Sequence, residues 1–171
     1  MVIASARSSM FCEQSNSCPV AFSGLSPRIQ RLLRAAKDAL GASHSPYSGF
    51  RVGAAVLTKT GRTITGANVE NAAYGEGICA ERSALLRANA QGVGGECVAI
   101  AVVARKGDEP TETITAPCGA CRQVMQEFAV RSGVGGSFEI ILATTNFEKV
   151  EVFTLEELLP HAFGPEDLSG A

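Results

Sequence analysis

Long apolar runs, clustered basic residues and histidines are all scarce in this chain of 171 residues. No apolar stretch approaches the ~18–20 residues that a membrane-spanning helix requires, so no membrane partner is expected. Fifteen Lys and Arg stand against 17 Asp and Glu, a formal net charge of −2, and no Lys/Arg cluster stands out. A protein that grips a polynucleotide needs a basic face to displace counterions. A small-molecule substrate is therefore favoured over nucleic acid. The only histidines, His44 and His161, lie in no metal-ligand spacing and suit loop or surface roles. Six cysteines are too few for a disulfide scaffold at this length, and no signal peptide is evident. A reducing, cytoplasmic setting is expected.

Hydrophobic residues at 46% against 19% charged are the balance of a folded chain, long enough for one core. Residues 1–25 are Ser-rich and aperiodic, which reads as a disordered extension. A single arginine there, Arg7, together with Glu13, counts against an organelle-targeting segment. Residues 26–171 then form one domain with a C-terminal tail, 160–171.

Ser26-Pro27 is an N-cap followed by proline at the first helical position. Ile29, Leu32, Leu33, Ala36 and Leu40 recur on one face, and Gly41 is expected to close that helix. After a His44–Gly49 loop, residues 50–58 and 63–68 read as a hairpin turning at Gly61. Residues 79–91 read as a helix, and 97–104 as a strand covered on both faces. A second such helix spans 118–131. Strands at 138–144 and 149–153 are joined by a link short enough for an antiparallel pair. Thr154 caps a last short helix, 155–159. Five strands interleaved with helices predict an α/β fold, a single sandwich. That order brings the starts of the helices at 79 and 118 to the carboxyl end of the 97–104 strand, where α/β proteins tend to bind ligands.

Both helix starts carry cysteine: Cys79-Ala80-Glu81 and Pro117-Cys118-Gly119-Ala120-Cys121. Three thiolates can fill three corners of a tetrahedral zinc site and leave the fourth for water. Helix N-termini favour anionic thiolates. Glu81, two residues after Cys79, is placed to reach that water rather than to ligate. Three thiolates oppose the activation of water, and Arg82 is the candidate that offsets their charge. Alone, Cys118-x-x-Cys121 also fits a redox dithiol. A structural zinc would need a fourth ligand, and Cys97 begins a strand near the opposite end of the sheet.

Paired, the two segments match the H-x-E…P-C-x-x-C signature of zinc deaminases in its three-cysteine form. The chain resembles the small homotetrameric cytidine deaminases across roughly residues 26–168, through SPYSGFRVGAAV (45–56), NVENAAYGEGICAER (68–82), APCGACRQVM (116–125) and FGPEDL (163–168). The last stretch makes it look like the eukaryotic members. The resemblance implies the five-stranded deaminase fold, a three-layer α/β/α sandwich around a mixed sheet, and one zinc per chain on Cys79, Cys118 and Cys121. It also implies deamination of free cytidine and deoxycytidine, with Glu81 moving the protons. Phe50 would stack on the base, Asn68 and Glu70 would bind the ribose, and backbone near Ala80 would read the ring. Ala72, Tyr74 and Phe163 would reach the ligand of a neighbouring subunit in a tetramer with shared sites. From their own place beside the metal ligands at the start of the second helix, Arg122 and Gln123 are candidates to orient the cysteines by hydrogen bonds, with an exposed helix face the alternative for Arg122. Antibiotic-directed deaminases are disfavoured by the Phe50 stretch, the NVENAAYG stretch and the FGPEDL tail.

Overall fold

The computed structural model describes residues 20–108 and 110–169. Helix α1, Pro27–Ala39, starts where the sequence places it, with Ser26 Oγ accepting the Ile29 amide. It ends differently. A 3-10 turn, Leu40–Ala42, tightens the last carbonyls in place of a glycine cap.

Strands β1 (Phe50–Thr58), β2 (Thr63–Ala67), β3 (Cys97–Lys106), β4 (Glu139–Ala143) and β5 (Val150–Thr154) form one mixed sheet in the order β2-β1-β3-β4-β5. Only β3 and β4 run parallel. Their crossover contains α3, Gly119–Arg131. Helix α2, Ala80–Ala90, lies between β2 and β3. β4 and β5 form the expected antiparallel hairpin.

Two cores flank the sheet. Ala55 and Leu57 of β1 and Ala101 and Val103 of β3 face α1, whose Ile29, Leu32, Leu33 and Ala36 are buried. Ala54, Val56, Ile100 and Val102 face α2 and α3. Each buried Leu or Ile stabilises by about 1.5–3 kcal/mol, so both helix layers are held chiefly by apolar packing. The result is the predicted three-layer α/β/α sandwich. Two glycines let the helices approach: a Cβ at Gly53 would lie 2.1 Å from Ala36 O on α1, and one at Gly66 lies 2.3 Å from Ala84 N on α2.

Packing extends to residues ahead of Ser26. Residues 20–25, assigned to the extension, join the domain: the Val20 amide donates to Val150 O, and Leu25 is buried. The Phe22 ring stacks on Phe147 at 4.6 Å, with Arg34 over one ring and Lys37 over the other. The rest of the proposed extension, with Cys12 and Cys18, lies outside the described residues. At the other end, Thr154 and Glu157 form a capping box opening α4, Leu155–Leu158. A further short helix, α5, Pro165–Leu168, lies in the tail. No helix among the described residues is long and apolar enough to cross a membrane.

Candidate active site

Cys79 is the N-cap of α2 and Cys118 the N-cap of α3, each in extended backbone, while Cys121 sits inside the first turn of α3. Because both helices begin at the carboxyl end of β3, the three Sγ atoms converge, all within 4.8 Å of one another. Cys121 is buried, Cys79 half-buried and Cys118 exposed, so the cluster opens to one side. Cys97 takes no part. It is buried at the far end of β3, its thiol is directed at Val93 O, and burial raises its pKa to about 11.

The charges are arranged for an anion at Cys79. A hydrogen bond from the Cys121 thiol, together with the Arg82 guanidinium, pulls Cys79 down to about 5. That sharing, and burial, push Cys121 up. Three crowded thiolates repel one another, and a dication at their centre removes the conflict. The spacing suits four-coordinate zinc with Zn–S bonds of about 2.3 Å, leaving one position uncommitted. The Arg82 Nη2 lies 2.9 Å from Gly77 O and 4.0 Å from Cys79 Sγ, the charge-offsetting position the sequence suggests.

Glu81 is 5% exposed, in the first turn of α2. Burial raises its pKa above 4.5, and the Cys79 charge adds to this. A carboxyl held above its ordinary value is suited to taking and returning a proton near neutrality.

A cavity of about 370 Å³ adjoins the cluster, and Cys79, Glu81 and Cys118 form its floor. Its other walls follow from the strand pairing. Phe50 opposes Lys106 at the end of β3, and Ala67 opposes Gly53, so the start of β1 and the end of β2 meet the cysteines at one sheet end. Phe50, Val52, Asn68, Ile78, Thr115 and Ala116 are among the residues that line it. Sequence reasoning did not name Val52, Ile78, Thr115 or Ala116, small or aliphatic residues that carry no local sign of lining a site.

Asn68 and Glu70 lie past the end of β2, and both are held by the chain. Asn68 Oδ1 accepts from Val52 N (2.8 Å) and Ser43 Oγ (2.6 Å), while Nδ2 donates to Phe50 O (2.9 Å). One amide hydrogen is left for a ligand. Glu70 accepts from the Ser48 hydroxyl and from the amides of Tyr47 (2.9 Å) and Ser48 (3.2 Å). These bonds, the hydroxyl foremost, hold its carboxyl below the ordinary range. Ser43 and Ser48 are the partners that sequence reasoning missed. They lie more than 20 residues away in a loop whose Ser-Pro-Tyr-Ser-Gly composition shows only that it turns.

Four predicted residues lie elsewhere. Ala80 is buried in α2, Ala72 is exposed, and Phe163 is 56% exposed in the tail; none lines the cavity. Among the described residues, Gln123 makes no hydrogen bond to the cysteines. Its side chain points outward from α3, and Nε2 donates to Phe163 O at 2.8 Å. Tyr74, 81% exposed, stands at the cavity rim against Tyr47.

The model of the "Cytidine and deoxycytidylate deaminase zinc-binding region" matches residues 26–136. A cytidine deaminase of Halalkalibacterium halodurans is 44% identical over 82% of this chain and 97% of its own length. Among solved structures, a cytidine deaminase from Burkholderia pseudomallei is similar at a TM-score of 0.68 and 46% identity, covering 78% of this chain and 97% of that one. One from Mycobacterium tuberculosis is similar at 0.61 and 36%, covering 80% and 97%.

Proposed function

Because this chain belongs to the zinc-binding cytidine and deoxycytidylate deaminase family, we propose that it hydrolyses free cytidine and deoxycytidine to the uridines and ammonia. The observation that carries this reading is Glu81, buried at the floor of a ligand-sized cavity beside three converging thiols. Cys79, Cys118 and Cys121 would hold one zinc per chain, which would supply Lewis-acid activation of the attacking water.

The protein's own part is positioning and proton traffic. Phe50 offers an aromatic face for the pyrimidine, and Val52 and Ile78 keep the cavity wall apolar. The reaction forms a C4–O bond and breaks the exocyclic C4–N bond. The Glu81 carboxylate accepts a proton from the water and passes it to ring N3. It then takes the remaining hydroxyl proton and delivers it to the leaving amine, so protons balance at the same Oε atoms. Arg82 offsets the thiolate charge behind Cys79.

Glu70 and the free amide hydrogen of Asn68 would bind the ribose hydroxyls. Anionic Glu70 also repels phosphate, which makes the substrate a nucleoside rather than a nucleotide. The proposed setting is pyrimidine salvage in the cytoplasm, where thiols stay reduced.

The proposed assembly is a homotetramer with shared active sites. It is supported by apolar side chains left exposed around the cavity mouth and in the tail, among them Val69, Tyr74, Ile78 and Phe163. Ala72 and Phe163, which do not line their own cavity, and Tyr74 at its rim would then serve a neighbour's.

Zinc content and cytidine turnover of the wild type and Glu81→Gln test the reading together. About one zinc per chain is expected in both, with turnover about 10²–10⁴ lower in the variant. Zinc-free protein with thiol exchange, or undiminished turnover in the variant, would defeat it.

A further inference from the structure

Of the three thiols, Cys118 has the weakest local support. It is exposed, its side chain makes no capping bond to α3, and it follows a long polar loop. Among the described residues, Arg122 alone hydrogen-bonds segment 113–118 from outside the thiol cluster. The Arg122 backbone amide donates to Cys118 O (3.1 Å), and its Nε donates to Pro117 O (2.8 Å). Carbonyls on both sides of the Cys118 amide are thus tied to Arg122. The same guanidinium reaches the other way, with Nη1 donating to Leu158 O at the end of α4 (2.8 Å). The next residue, Gln123, holds Phe163 O. Two consecutive side chains therefore pin both ends of the 158–163 strap onto the first turn of α3. Between the pins lies His161, a non-glycine residue at φ +56, a conformation that persists only where the surroundings impose it.

We propose that Arg122 and Gln123 are positioning residues forming a two-point clamp, through which the C-terminal strap braces the Cys118 loop and thereby holds the metal in place. The inference rests on the zinc reading above. Arg122 suits the task because its planar fork presents donors in fixed directions, holding the Pro117 and Leu158 carbonyls at a set separation. A lysine presents one ammonium and cannot reproduce that span. Gln123 acts at one remove, fixing the strap rather than the loop.

The test compares full-length wild type, Arg122→Ala, Arg122→Lys and Gln123→Ala, each loaded with one equivalent of zinc. The rate of zinc loss to a chromophoric chelator and the rate of proteolytic cleavage within 158–163 are followed, with thermal midpoints recorded alongside. Arg122→Ala is expected to lose zinc about tenfold faster or more and to be cleaved faster. Arg122→Lys should follow it despite keeping the charge. Gln123→Ala should be cleaved faster with a smaller change in zinc loss. Should Arg122→Ala fail to fold, the lysine variant and Gln123→Ala still decide. Zinc loss at the wild-type rate in Arg122→Lys, or zinc loss that merely tracks the thermal midpoint across all variants, overturns the clamp. Wild type that takes up no zinc overturns the zinc reading and the clamp with it.

Discussion

Gly66→Ala should impair catalysis from outside the cavity, because β2 at this point lies almost against the helix that carries Cys79 and Glu81. The added methyl would meet Ala84 N at 2.3 Å, Ala80 O at 2.6 Å and Ala84 Cα at 2.8 Å. All three are backbone atoms of the first turns of α2, so no side chain can swing aside. Restoring ordinary contact, which begins near 3.4 Å, moves α2 away from the sheet by about 1 Å. Overpacking of this kind costs about 1–3 kcal/mol. A misplacement of ~1 Å at reacting groups lowers turnover by about 10²-fold. The assay is cytidine kcat/KM with zinc content and thermal midpoint measured on the same preparation. A loss of turnover much larger than the loss of folded protein at assay temperature is expected. Turnover and Tm both indistinguishable from wild type would refute the close-approach argument.

Three further outcomes are expected. Glu70→Gln should raise KM for cytidine and narrow the gap between nucleoside and monophosphate; unchanged discrimination would remove Glu70 from the sugar end. Phe22→Ala removes a stacked pair and a cation–π contact, so chemical denaturation should show about 1–3 kcal/mol lost with kcat intact. Burial holds the Glu139 carboxyl above its ordinary 4.5, with Arg28 partly opposing. Its stabilising contribution is therefore full below that value and lost as pH rises through the raised one. Glu139→Gln should match wild type in acid and grow relatively more stable toward neutral pH, read from urea midpoints; a pH-independent difference would contradict this.

The sequence made legible what depends on neighbours along the chain. Ser26-Pro27 marks a helix start by local capping, and Thr154 with Glu157 marks another. The convergence of the cysteines followed from strand and helix order alone, since two helices flanking β3 must begin at one sheet end. Partners distant in sequence were not legible. Nothing near Gln123 reveals that its amide turns outward to Phe163, 40 residues on, or that Arg122 reaches Leu158. Nothing in residues 20–25 shows that Phe22 will find Phe147 and that these residues pack into the domain. Gly53 and Gly66 did offer a signal, because glycine inside a strand often marks close backbone approach.

Three cysteines sharing one metal while a coordination position stays open are the centre of the proposed chemistry. X-ray absorption at the zinc edge, on full-length protein loaded with one equivalent, addresses this directly. Three sulfur neighbours at about 2.3 Å and one lighter atom near 2.0 Å are expected. Replacing Cys118 by serine should remove one sulfur, while Cys97→Ser should leave the spectrum unchanged. Four sulfurs in the wild type, or a spectrum altered by Cys97→Ser, would contradict the account.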